Sequence, residues 1–167
     1  ELHHPIEYQN HIFDALMEAG KEFNLKPFGI RAMDSLRIEK SYKLVGTEMS
    51  IEYAAMESGL DRFVHLNKGK FIGRDALVAW QQRGFKNQFV TLEVKDVKNA
   101  DALGNNPIYK DDEVVGRATG GNYGFRVQKS LALGMVKPEF SKIGTQLSMD
   151  ILGVRHKVEV IEDSPYD

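Results

Sequence analysis

The residue best suited to chemistry in this sequence is a glutamate at the edge of a helix. Glu39 follows Ile38 just after Ile30, Met33 and Leu36, whose spacing predicts a short, half-buried helix. A carboxylate near a core edge needs a partner, because an unpaired buried charge costs roughly several kcal/mol. One partner is local, an ion pair with Arg37 or Lys40. The other is a ligand: two carboxylate oxygens can accept paired N–H bonds from a flat heterocycle that carries an amino group beside a ring N–H. Residue chemistry leaves both open.

Other reactive side chains form no set. His3 and His4 are adjacent and point apart on any regular element, and His11, His65 and His156 stand alone, so no metal-ligand spacing is present. The absence of cysteine excludes a disulfide scaffold and a thiolate zinc site. The run Gly116-Arg117-Ala118-Thr119-Gly120-Gly121-Asn122-Tyr123-Gly124 lacks the Gly-Lys-Ser/Thr of a phosphate loop, and no helix follows it. It reads as a turn between strands where backbones approach closely. No Ser/His/Asp order stands out as a triad. Met33 and Met135 read as core filler.

The elements that must position Glu39 follow from periodicity and punctuation. Pro5 opens a first helix with Ile6, Phe13, Leu16 and Met17 at helical spacing and Gly20 as its stop. Lys26 to Gly29 is a turn before the helix of Glu39. Residues 45–60 are loop-like, Phe63-Val64-His65-Leu66 alternates like a strand, and a third helix spans about Arg74 to Arg83. From Gly84 on, the texture is all strand: 89–94, 107–109 paired as a hairpin with 114–116, then 131–136, 146–151 and 155–161. Short strands at this spacing predict a small antiparallel β-barrel. The fold class is therefore α+β, with a boundary near residues 84–88: 1–86 in a mixed first part and 87–167 in the barrel.

The 167 residues carry a net charge of −2 and 42% hydrophobic residues. This is a globular composition without the basic excess of a nucleic-acid or membrane-surface binder. No apolar run approaches the ~20 residues of a membrane helix, so neither nucleic acid nor membrane is expected as a partner. The chain opens at Glu1 without an initiator Met or a signal peptide, and it is read as a piece of a longer polypeptide.

Three blocks carry a resemblance. Gly29-Ile30-Arg31-Ala32-Met33-Asp34-Ser35-Leu36-Arg37-Ile38-Glu39-Lys40-Ser41-Tyr42 resembles the G-x-R-A-x-D-S-L-R-L-E-x-x-Y signature of the glycine cleavage system T-protein (aminomethyltransferase) family. Phe71-Ile72-Gly73-Arg74-Asp75-Ala76-Leu77 is similar to its D-F-I-G-R-E-A-L. Val115 to Gly124, followed by Lys129 to Val136, is similar to its C-terminal barrel motif. The blocks stand in family order. Arg37-Ile38-Glu39-Lys40, Leu66-Asn67-Lys68 and Gln128 to Ala132 look most like the folate domains fused to dimethylglycine and sarcosine dehydrogenases. Lys70 stands where the family has an acidic residue, and Gly120-Gly121 where it has Ser-Gly.

The resemblance implies one-carbon transfer from an N-methyl amine to tetrahydrofolate. It implies an FAD domain upstream in the parent protein, a small N-methyl amine substrate, and a cytoplasmic or mitochondrial matrix setting. Glu39 occupies the position of the family's pterin-binding glutamate. Tyr42 and Arg37 are implied as its neighbours, Arg74 as the family arginine after the glycine, and Tyr123 as a loop residue near the folate tail. The family's catalytic aspartate belongs to a more N-terminal segment outside this chain, so the fragment alone is expected to be inactive. The alternatives are a stand-alone aminomethyltransferase or demethylase, or a non-catalytic scaffold on the same fold.

Overall fold

The structure, a computed structural model, describes residues 1–97 and 100–166. It divides into two compact units, Glu1–Met33 and Asp34–Asp167.

In the first unit, a 3-10 turn at Ile6–Tyr8 leads into α1, Gln9–Ala19. A second 3-10 turn, Gly20–Phe23, ends at Asn24, whose φ of 54° turns the chain. The Leu25 amide then closes on the Gly20 carbonyl at 2.9 Å. The helix runs where its spacing places it, but Ile6, Phe13 and Leu16 are exposed. Helix α2, Ile30–Glu39, runs across the division after Met33. Its Ile30, Met33 and Leu36 are also exposed, and its buried residues are Ser35, Ile38 and Glu39. Met33 is thus not core filler, whereas Met135 is.

In the second unit, residues 40–60 form turns without regular structure. The strand expected at 63–66 is instead the end of a 3-10 turn, Asp61–Phe63, followed by irregular backbone and a turn at 66–67. The amides of Phe63 and Val64 bond to Leu60 and Asp61, so local turns take the groups a ladder would have needed. Helix α3, Arg74–Arg83, lies between Gly73 and Gly84, both at φ 86°.

The six strands are β1 Gln88–Val94, β2 Pro107–Lys110, β3 Glu113–Gly124, β4 Lys129–Val136, β5 Gln146–Ile151 and β6 Val154–Ile161. They close an antiparallel barrel in the order β1-β4-β3-β2-β5-β6. Alternation along β1 and β4 explains their near-continuous apolar runs, because both faces are covered. Val90, Leu92, Val94, Ala132 and Val136 belong to the cluster that also holds Ile108, Met149 and Val158. Phe89, Leu131, Leu133 and Met135 point the other way and pack with Ile38 of α2.

The glycine-rich run 116–124 is not a turn. It is the body of β3, paired with Val136 through Lys129 of β4. Close approach does account for its composition: a Cβ at Gly121 would lie 2.8 Å from Ala102 and 2.9 Å from the Leu131 carbonyl. Strand pairing overrides the usual reading of glycine as a breaker here because a Cβ at Gly116, Gly121 or Gly124 would be crowded by its neighbours. Among the described residues, no helix is long and apolar enough to cross a membrane.

Candidate functional site

Burial of Ile38 against Phe89, Leu131, Leu133 and Met135 fixes the last turn of α2 against the outer face of β1 and β4. The helix ends there: the Ser41 and Tyr42 amides reach back to Ile38 and Arg37, and Ser41 adopts φ 52°. The next residue after Ile38 is therefore held over the β3–β4 hairpin. Glu39 is 1% exposed, and its Oε1 accepts the backbone amides of Arg126 at 2.7 Å and Val127 at 3.2 Å. A Cβ at Gly124 would come within 3.0 Å of Glu39 Cγ, so glycine lets the strand pass the carboxylate without displacing it.

Other contacts tie the same ledge together. Ser35 Oγ donates to the Tyr123 carbonyl at 2.7 Å. The Tyr166 amide donates to the Glu39 carbonyl at 3.1 Å. Arg126 donates to the Tyr166 hydroxyl at 2.8 Å and lies 5.0 Å over its ring. Tyr123 and Phe125 meet edge to face at 5.1 Å, and Phe125 is largely exposed. A buried carboxylate, a guanidinium and three exposed aromatic rings are thus gathered around one hairpin. Such a set can hydrogen-bond and stack a flat, polar-edged ligand.

The C-terminal segment is strapped across the exit of α2. Ser164 donates its amide to Ser41 Oγ at 2.9 Å and its hydroxyl to the Lys40 carbonyl at 3.0 Å. Ser41 and Thr91 hydroxyls meet at 2.7 Å, and Thr91 donates to Asp163 Oδ1 at 2.7 Å. Because a carboxylate only accepts, the proton direction runs from Ser164 through Ser41 and Thr91 to Asp163.

Arg37 serves a different cluster. Its Nε and Nη2 bond Asp34 at 2.9 and 2.8 Å, and its Nη1 donates to the Tyr42 carbonyl at 2.8 Å and lies 3.6 Å from Glu48. Glu48 is fully buried, which by itself would raise its pKa. The Leu44 amide, the Thr119 and Thr47 hydroxyls and Arg37 outweigh burial and hold it below the ordinary value. Glu57, 1% exposed, is a third buried carboxylate. It accepts amides on both oxygens: Lys86 and Asn87 on Oε1, Ala54 on Oε2.

Of the five residues expected at the site, Glu39 and Tyr123 share the hairpin ledge. Arg37 carries the α2 exit and the 44–48 loop. Tyr42 stands 60% exposed at the rim of a cavity of about 490 Å³. Arg74 donates to the Leu66 carbonyl at 2.7 Å and pairs with Asp75, holding the loop before α3. Arg126 and Tyr166 joined the ledge unannounced; a charge in a hairpin turn and a terminal tyrosine read as solvated surface in the sequence. Among the described residues, no group of three or more His, Asp or Glu could hold a metal ion.

Residues 1–68 match the family model described as GCVT N-terminal domain, and residues 87–167 match that of the glycine cleavage T-protein C-terminal barrel domain. The chain belongs to the glycine cleavage T-protein family. It is 38% identical over 166 residues to the mitochondrial dimethylglycine dehydrogenase of Homo sapiens, which covers 98% of this chain and 19% of that protein. It is 32% identical to an aminomethyltransferase of Desulfitobacterium hafniense, over 96% of this chain and 44% of that one. The fold matches a crystal structure of the glycine cleavage system aminomethyltransferase T from Bartonella henselae with a TM-score of 0.80 at 21% identity, over 90% of this chain and 43% of the other. The chain therefore spans about a fifth of the dehydrogenase relatives and under half of the aminomethyltransferases.

Proposed function

We propose that this chain supplies part of the tetrahydrofolate site of an enzyme that moves a one-carbon unit from an N-methyl amine of the dimethylglycine or sarcosine type onto tetrahydrofolate. The observation that carries this reading is the Glu39 carboxylate of the signature segment, oriented by the Arg126 and Val127 amides of the β3–β4 hairpin and bordered by Tyr123, Phe125 and Tyr166. Glu57 spends both oxygens on backbone amides and Glu48 pairs with Arg37, whereas the amides on Glu39 engage Oε1. Ligand recognition at Glu39 therefore falls to Oε2, with Oε1 as the fixed pivot. This replaces the two-oxygen fork with a single oriented acceptor.

In this reading Tyr123 borders the heterocycle, Arg37 sets the α2 exit that carries Glu39, and Tyr42 and Arg74 lie outward along the folate. Bound tetrahydrofolate supplies the nucleophilic nitrogen that captures the one-carbon unit; the chain's own residues bind and orient it. Residues 1–86 are the closing portion of the folate-binding domain and residues 87–167 its barrel. The flavin that oxidises the amine and the aspartate that assists folate attack reside in an N-terminal part of the same polypeptide. Support comes from the dehydrogenase relatives, of which this chain matches 19%. The setting is the cytoplasm or the mitochondrial matrix, and the isolated chain does not turn over.

The test is an assay of the polypeptide that carries this chain, supplied with dimethylglycine and tetrahydrofolate. Flavin bleaching with formation of 5,10-methylenetetrahydrofolate is expected. Methylenetetrahydrofolate formed only from an aminomethyl donor, without flavin, would replace the dehydrogenase reading with a stand-alone aminomethyltransferase. No folate product from either donor would leave the scaffold reading.

A further inference from the structure

The cavity of about 490 Å³ beside the α2 exit is not part of the Glu39 ledge. Its walls are Tyr42, Leu60 and Phe63, and Lys43, Arg62 and Asp163 open onto it. Lys43 is largely withdrawn from water, with 13% of its side chain exposed. Its Nζ lies 3.9 Å over the Phe89 ring and 3.7 Å from Asp163 Oδ2. Asp163 is divided: its other oxygen receives the Thr91 hydroxyl. Arg62 lies 4.7 Å over Phe63 and repels Lys43. Burial lowers the Lys43 pKa, Asp163 and Glu48 oppose that, and Arg62 adds to it. Lys43 and Arg62, with Lys40 also lining the space, therefore face one half-committed carboxylate, and an entering anion offsets their repulsion. The exposed rings of Tyr42 and Phe63 at the rim suit a planar body attached to that anion.

We propose that this cavity is a separate binding subsite for a carboxylate borne on an aromatic body, with the carboxylate between Lys43 and Arg62 and the ring against Tyr42 and Phe63. The site goes beyond the folate reading and does not rest on Glu39. Charge comes from two residues on different segments, 40–43 and 60–63, so the subsite exists only in the folded unit. Each of the two cations contributes a charge-assisted contact of the kind that discriminates a carboxylate from its neutral amide.

The test is a titration of this chain with sodium benzoate, followed by amide NMR, with benzamide and inorganic phosphate as comparison probes. Saturable shifts at Tyr42 to Leu44, Leu60 to Phe63 and Ser164 are expected, with a dissociation constant on the order of 1 mM. Arg62→Met is expected to weaken benzoate at least tenfold while keeping the amide spectrum of the barrel. Glu39→Gln is expected to leave benzoate affinity within twofold, which separates this subsite from the folate reading. No saturable shift at these amides, equal binding of benzamide, phosphate binding without benzoate binding, or unchanged affinity in Arg62→Met would each overturn the proposal.

Discussion

Glu39 Oε1 lies 2.7 Å from the backbone amide of Arg126, a residue 87 positions further along the chain. This one bond joins the helix of the signature segment to the tip of the β3–β4 hairpin. It makes the position of the candidate ligand carboxylate depend on how closely β3 can pass α2. Gly124 sets that distance, since a Cβ there would also lie 2.7 Å from Val127. Gly124→Ala is expected to destabilise the fold by about 1–3 kcal/mol, the cost of overpacking. It should also displace the Arg126 and Val127 amides. Urea unfolding gives the first, and amide chemical shifts at those two residues give the second.

Ile38 is the anchor of the same helix end. It is fully buried among Phe89, Leu131, Leu133 and Met135. Ile38→Ala is expected to cost about 2–5 kcal/mol by lost burial plus a cavity. A loss under ~1 kcal/mol in denaturant titration would show that α2 is not seated on the barrel as described.

Thr91 is 0% exposed and sits between Ser41 and Asp163. Replacing it with valine keeps the shape and removes both hydrogen bonds, leaving Ser41 without its acceptor. Thr91→Val is expected to cost about 1–3 kcal/mol. It should also speed proteolytic release of the C-terminal strap that Ser164 fastens to Lys40 and Ser41. Limited carboxypeptidase digestion, followed by mass spectrometry, reads that release.

Glu48 gives the stability a defined pH dependence. Despite burial, the Leu44 amide, the Thr119 and Thr47 hydroxyls and Arg37 hold its pKa below the ordinary 4.5. A folded-state pKa below the unfolded one means that the ionised form stabilises the fold. That contribution is complete above about pH 4.5 and fades as pH falls through the folded value. Unfolding measured from about pH 6 downward should show wild type and Glu48→Gln converging in acid. A constant difference across that range would place the stabilising charge elsewhere.

The barrel was legible because its strands other than β3 are short apolar or alternating runs. Helix α3 was legible because glycines bracket it at φ 86° on both sides. Burial on α2 was not legible. Its apolar residues Ile30, Met33 and Leu36 are exposed, and two of its three buried residues, Ser35 and Glu39, are polar. Their partners are backbone groups of Tyr123, Arg126 and Val127, and a backbone amide leaves no mark in the side-chain pattern. The same holds for Glu57, whose partners are largely main-chain groups, and for the Leu44 amide on Glu48. Strand β3 was misread because glycine propensity cannot register that Ala102 and Leu131 fill the space where side chains would stand. The alternation at 63–66 was too short to reveal that its amides are spent in turns.

The central claim is that Glu39 holds folate, and affinity tests it most directly. Isothermal titration of the polypeptide carrying this chain with a stable reduced folate, 5-formyltetrahydrofolate, should be run on wild type and Glu39→Gln. Glutamine keeps one oxygen to receive the hairpin amides and removes the charge, so the fold should persist. The account predicts at least a tenfold weaker dissociation constant, about 1.4 kcal/mol or more, with unfolding close to wild type. Equal affinity in the two proteins would contradict it and leave Glu39 as a clamp for the hairpin alone.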